Sequence, residues 1–87
     1  FSGSNMALGQ YHYEQGNLQD AAFRFRFVTF FYPRHADAWA WLAKAQLAMG
    51  DSGKGAKTLQ HLFSIAPNHA EGRALIAEMQ ARAEKAS

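Results

Sequence analysis

The chain has 87 residues, of which 48% are hydrophobic, so it is long enough for one small globular domain and too apolar for disorder over most of its length. Nine Lys and Arg residues against seven Asp and Glu give a net charge of +2, an excess too small to favour a nucleic-acid-binding surface. The absence of Cys excludes a disulfide framework and a thiolate zinc site. No apolar run has the length that spans a bilayer, so no membrane partner is expected.

In chain order, the sequence predicts an all-α fold of five helices joined by short turns. Glycines at 16 and 50 favour helix ends, and prolines at 33 and 67 stop the helices before them, because the residue preceding Pro is disfavoured in the helical region. Asn68 is expected to cap the last helix, with Glu71 as its capping-box partner. The predicted helices span residues 6–15, 18–31, 36–49, 54–65 and from the Asn68 cap to about 85.

The first five residues are small and polar apart from Phe1. We expect residues 1–5 to be the remnant of an expression tag, followed by a native or internal start at Met6.

Residues 36–69 repeat the pattern of residues 2–35. When the second segment is laid over the first, Leu42 falls on Leu8 and Pro67 falls on Pro33. A fixed period of this kind indicates one structural unit made twice and stacked.

The period and its landmarks resemble the tetratricopeptide repeat, whose pattern is W-x2-L-G-x2-Y, then A-x3-F, then P. The matching residues are Leu8, Gly9, Ala21, Phe25 and Pro33 in the first copy, and Trp39, Leu42, Leu59 and Pro67 in the second. Asn5 replaces the family's Trp, His12 and Gln46 replace its Tyr, and Gly55 replaces an Ala. The resemblance implies an α–α superhelix of two helix-turn-helix repeats, at 6–35 and 36–69, closed by a capping helix at 70–87.

Helical spacing gives the expected core. Leu8 and Tyr11 lie three residues apart on one face of the first helix, which we expect the paired helix to cover. In the fifth helix, Leu75, Ile76 and Met79 are expected to pack on the third and fourth helices.

By resemblance to the family, the first helix of each repeat lines a concave groove that binds a protein or peptide. Lys44 is the single cation at the groove positions, which does not favour capture of a peptide carboxylate. Aromatic and Met side chains are common anchors at interaction surfaces, so a short apolar or amphipathic segment is the expected ligand. The predicted groove residues are Met6, Gln10, Tyr13, Trp41, Lys44 and Leu47.

The second helix carries apolar residues on two sides. Three aromatic rings, Phe23, Phe27 and Phe30, lie opposite the core face, whereas the corresponding residues of the second copy are polar. Arg24 and Arg26 flank this stripe as a polar rim would. Soluble monomers seldom expose such a patch, so we expect it to mediate self-association in a homodimer. The alternative is that these rings pack against the first helix or against the tag remnant.

The sequence holds no pattern that indicates catalysis, a metal site or a cofactor. The leading hypothesis is therefore a non-enzymatic protein–protein interaction module, expected in the cytoplasm, with the periplasm as the alternative. Residues 8–51 combine a first helix with Tyr and Gly, a Phe-rich second helix and then a Gly turn. In these features they resemble translocator chaperones of type III secretion, which leaves open a bacterial chaperone that shields an apolar client segment. A nucleic-acid-binding helical repeat is the third hypothesis, supported by Arg24, Arg26, Arg34 and His35 alone.

Overall fold

The computed structural model describes residues 2–86, and within them every element is an α-helix. This confirms the all-α fold. The helices are α1 (Ser2–Glu14), α2 (Leu18–Phe31), α3 (Ala36–Ala48), α4 (Ser52–Ile65) and α5 (Ala70–Ala86). Each helix packs against the next, so α1–α2 and α3–α4 form two stacked hairpins and α5 lies on the second. The stack measures 42 × 28 × 18 Å.

The two hairpin turns have the same construction. Gly16 and Gly50 adopt φ angles of 82° and 85°, in the left-handed region that glycine tolerates without strain. The N–H of the following residue donates to the carbonyl oxygen five residues before it, at 2.9 Å for Asn17 and 3.0 Å for Asp51. These bonds satisfy carbonyls that the helix end leaves unpaired and reverse the chain direction.

Three helix starts differ from the predicted ones. α1 begins at Ser2, because residues 2–5 continue the helix rather than precede it. α4 begins at Ser52, because the Asp51 side chain accepts a hydrogen bond from the Lys54 N–H at 3.0 Å and caps the helix. At α5 the cap is His69 instead of Asn68.

Histidine caps the first helix of the second repeat as well. The Nδ1 atom of His35 accepts from the Ala38 N–H at 3.2 Å, and that of His69 accepts from the Gly72 N–H at 3.1 Å. The Nε2 atom of His69 also lies 2.7 Å from a carboxylate oxygen of Asp37. The second cap therefore also ties the start of α5 to the start of α3.

Two hydrophobic clusters share α3 as their common wall. Trp39 is half-buried and packs against both clusters, and its indole N–H donates to the Pro33 carbonyl at 2.8 Å. The first cluster consists of Met6, Ala21, Ala22, Phe25, Val28, Ala38, Leu42 and Ala45. The second consists of Ala40, Ala43, Leu59, Leu62 and Leu75, with Ile76 and Met79 packed against it as the spacing predicted.

One glycine in each hairpin permits close contact between its helices. A Cβ atom at Gly9 would lie 2.5 Å from the Phe25 ring, and a Cβ atom at Gly55 would lie 2.5 Å from the Leu47 side chain. The glycine is on the first helix of the first hairpin and on the second helix of the second. Gly55 therefore has a packing reason, although glycine costs a helix interior about 1 kcal/mol relative to alanine.

The prediction that α2 covers Leu8 and Tyr11 is wrong. Their side chains are 42% and 56% exposed. The reason is rotational: α2 packs on the side of α1 that carries Gly9, and no helix among residues 2–86 lies over the Leu8 side.

Candidate partner-binding surfaces

A groove runs along the first helices of the stack, with α1 and α3 on one side and α5 on the other. Tyr13 contributes from α1, and Trp41, Lys44 and Leu47 contribute from α3. Trp41 is anchored because its ring stacks on the fully buried Phe25 ring, with centroids 5.5 Å apart and planes 28° from parallel. The core thus positions the central aromatic side chain of the groove.

Lys44 lies over two rings of this groove. Its Nζ atom is 4.7 Å from the Trp41 centroid and 5.2 Å from the Tyr13 centroid, both within cation–π range. The two rings meet edge to face at 5.6 Å. The lysine and the two rings therefore form one rigid amphipathic cluster with an exposed cation.

Two cavities of about 150 Å³ each lie beside this cluster. Lys44, Leu75 and Glu78 line both of them. A cavity of about 150 Å³ has room for one aromatic ring. The first is further lined by Tyr13, Leu47, Ala48, Met79 and Arg82, and the second by Ala40, Trp41, Glu71 and Ala74.

Sequence reasoning missed the α5 wall of the groove, although the repeat period contains it. The same spacing that carries Leu8 to Leu42 carries Trp41 to Leu75 and Lys44 to Glu78. Both of these α5 residues line the cavities, so α5 has the position that the first helix of a third repeat would have. The groove consequently has carboxylates as well as cations, since Glu71, Glu78 and Arg82 of α5 line the cavities together with Lys44 of α3.

Two other predicted groove residues, Met6 and Gln10, do not line these cavities. Met6 is buried in the first core cluster, so its side chain offers little surface to a ligand. Gln10 is half-buried on α1 and is not among the residues that line the two cavities.

The aromatic stripe of α2 remains largely open to solvent. Phe23 and Phe30 are 63% and 77% exposed, while Phe27 is half-buried. Phe31, which is not part of the predicted stripe, contacts two of its rings, with its centroid 4.7 Å from that of Phe27 and 5.0 Å from that of Phe30. The alternative that these rings pack against α1 does not describe Phe23 and Phe30.

The two arginines beside the stripe differ in their surroundings. Arg24 is half-buried and donates to the Asn5 side chain at 3.0 Å, whereas Arg26 is exposed. Of the four residues that supported nucleic-acid binding, Arg24 thus contacts α1 and His35 caps α3.

A larger cavity of about 450 Å³ lies at the far end of the stack, between the end of α4 and the outer side of α5. It is open, and Phe63, Ile76, Ala77 and Gln80 are among its lining residues.

In residues 2–86 no three His, Asp or Glu side chains come together in a way that suits a metal ion. Within the same residues, no helix has the length and apolar character that crossing a membrane requires.

Comparison with known proteins agrees with the geometry of paired, stacked helices. The family model described as tetratricopeptide repeat matches residues 7–79. No curated protein matches the chain. Repeats of this kind are in general non-catalytic modules that bind other proteins. Because the match covers most of its length, the chain belongs to the tetratricopeptide repeat family.

Proposed function

We propose that the chain is an interaction module whose groove binds a short apolar or amphipathic segment of a protein partner. The observation that carries this proposal is the cluster of Trp41, Tyr13 and Lys44 between two cavities of about 150 Å³ each. Rigid aromatic side chains with an adjacent cation are typical anchors of protein interfaces, because they bury a large area at small entropic cost.

The chemistry of the groove also describes the segment it would take. Each cavity accommodates one large apolar side chain, and Leu75 lies where both meet. Cations and carboxylates are present in equal number around the cavities, so the segment needs no strong net charge. Apolar anchors with polar residues between them satisfy both conditions.

A library of short random peptides, selected on the immobilised chain, supplies the probe. A recovered peptide is labelled and titrated by fluorescence anisotropy against the wild type and Lys44→Glu. We expect Lys44→Glu to weaken binding roughly fivefold or more, the loss that follows from about 1 kcal/mol at a central contact. Lys44 is exposed, so this substitution leaves the core intact.

Lys57→Glu is the matched control, because Lys57 is an exposed lysine of α4 that does not line the groove. It makes the same change in net charge and should leave affinity within about twofold, as expected of a residue outside the interface. Equal losses in the two variants would mean that net charge, not the groove, governs binding.

A second proposal, self-association through the α2 stripe, is favoured by the exposure of Phe23 and Phe30. Sedimentation velocity over micromolar concentrations should detect a dimer that Phe30→Asp dissociates. Ser64→Asp is the control, because Ser64 is exposed at the same repeat position in α4. A wild type that remains monomeric throughout would refute self-association and leave the groove proposal untouched.

A further inference from the structure

Three helices, α1, α3 and α5, carry residues at the same repeat positions on one face. α1 and α3 are the first helices of the two repeats, and α5 has the position of the first helix of a third repeat. On α3 this face is buried against α2, and on α5 it packs on α4, where Gly72 contacts the Leu62 side chain. On α1 no helix among residues 2–86 covers the same face. The three sets are Ser4, Leu8 and Tyr11 on α1, Ala38, Leu42 and Ala45 on α3, and Gly72, Ile76 and Met79 on α5.

The uncovered face of α1 adjoins the aromatic stripe of α2. Successive residues turn about 100° round a helix, so Leu8 lies beside Asn5 on α1, and Arg24 lies between Val28 and Phe31 on α2. The hydrogen bond from Arg24 to Asn5 joins these two sides. The result is one continuous surface, here called the open end, formed by Leu8, Tyr11, Phe23, Phe27, Phe30 and Phe31.

We propose that two copies of the chain pair head to head through their open ends. The inference rests on the proposed self-association and assigns it a site that includes α1. The four rings that are more than half exposed, Tyr11, Phe23, Phe30 and Phe31, offer roughly 500 Å² on each copy at about 200 Å² per aromatic side chain. A stable interface buries about 800 Å² per partner, so these rings supply more than half of it.

The opposite end of the stack is more polar than the open end. α5 turns Arg73, Ala77 and Gln80 outward, at the positions that α4 covers on α3. Two of these residues, Arg73 and Gln80, are polar. In addition, a contact between the open end of one copy and the opposite end of the next would build a filament rather than a closed dimer. A like-to-like contact closes at two copies and covers the apolar end of both.

The absence of Cys from the chain permits a direct test. Single cysteines are introduced by Leu8→Cys, Tyr11→Cys and Gln60→Cys, and each protein is treated with a short bismaleimide at a concentration where sedimentation shows a dimer. We expect covalent dimers from Leu8→Cys or Tyr11→Cys and none from Gln60→Cys, because Gln60 is exposed on α4 away from the open end.

Sedimentation of Tyr11→Asp and Gln60→Asp supplies the second readout. Tyr11→Asp should raise the dissociation constant of the dimer about tenfold or more, since it places a charge in an apolar contact, whereas Gln60→Asp should change it less than about twofold. Tyr11 is exposed, so Tyr11→Asp does not threaten the fold.

The outcomes separate the two proposals. A dimer that Phe30→Asp dissociates and Tyr11→Asp does not, without cross-links from Leu8→Cys or Tyr11→Cys, would overturn the head-to-head arrangement and keep self-association through α2. A wild type that is monomeric at every concentration would overturn both.

Discussion

Substitution of the two hairpin glycines by alanine separates two kinds of close contact. At Gly9 the added methyl group meets three atoms of the Phe25 ring, at 2.5, 2.8 and 2.9 Å. That ring is fully buried and stacked on Trp41, so it has nowhere to move. At Gly55 the methyl group meets the Cδ2 and Cγ atoms of Leu47, at 2.5 and 2.8 Å. This side chain is only half-buried and lies at the edge of the groove, so it has more room to shift than the Phe25 ring.

The expected free energies of unfolding follow from these surroundings. Alanine gains about 1 kcal/mol over glycine inside a helix, whereas overpacking a rigid core costs about 1–3 kcal/mol. Gly9→Ala should therefore destabilise the chain by up to about 2 kcal/mol, which lowers the melting temperature by up to about 16 °C for a domain of this size. Gly55→Ala should change the free energy of unfolding by less than about 1 kcal/mol in either direction, because Leu47 relieves the clash.

Urea unfolding followed by circular dichroism measures both variants, with Gly53→Ala as the control, since a Cβ atom there meets nothing closer than 3.7 Å. Should Gly9→Ala prove as stable as Gly55→Ala or more so, the close contact between α1 and α2 would be refuted. A further consequence is expected at the groove: Gly55→Ala displaces Leu47 and should alter peptide affinity, whereas Gly53→Ala should not.

Two further substitutions test polar contacts. Thr58→Val should cost about 1–3 kcal/mol in urea unfolding, because it leaves the buried Gln46 oxygen without the hydroxyl that donates to it at 2.6 Å, while Thr58→Ser should retain most of the stability. His69→Ala should cost about 1 kcal/mol by removing the cap of α5, and somewhat more through the lost contact with Asp37. Asn68→Ala, one residue earlier and exposed, should stay within about 0.5 kcal/mol of the wild type, and a larger loss there than at His69 would contradict the assigned cap.

The hairpins were predictable because their signals are local. Gly16, Gly50, Pro33 and Pro67 mark every turn, and the repeat period gives the order of stacking. The last cap was predicted at Asn68 because asparagine is a strong capping residue. The structure uses His69, which stands at the same repeat position as the cap His35. Only the additional contact of its ring with Asp37, 32 residues away, leaves no local pattern.

The surfaces were less predictable than the helices. A repeat pattern marks the positions that stack on a neighbouring helix, whether or not that helix is present. Leu8 therefore has the same sequence signature as Leu42, although Leu42 is buried and Leu8 is exposed. The position of Trp41 depends on its stacking with Phe25 across two helices, which spacing does not encode. The repeat period contains the α5 wall of the groove, whereas helical spacing by itself predicts only a core role for Leu75 and Met79.

The division of the chain at 6–35, 36–69 and 70–87 remains a prediction. Residues 2–5 form the first turn of α1, with Asn5 buried and bonded to Arg24, so they contribute to the fold whatever their origin.

The most direct test of the groove is a titration of the isotope-labelled chain with a selected peptide, followed by amide and methyl NMR. We expect the largest shift changes at Tyr13, Trp41, Lys44, Leu47 and Leu75, on both walls of the groove, and little change at Lys57 or Ser64. Changes confined to α2 or α4, with those five residues undisturbed, would contradict the assignment of the groove as the binding site.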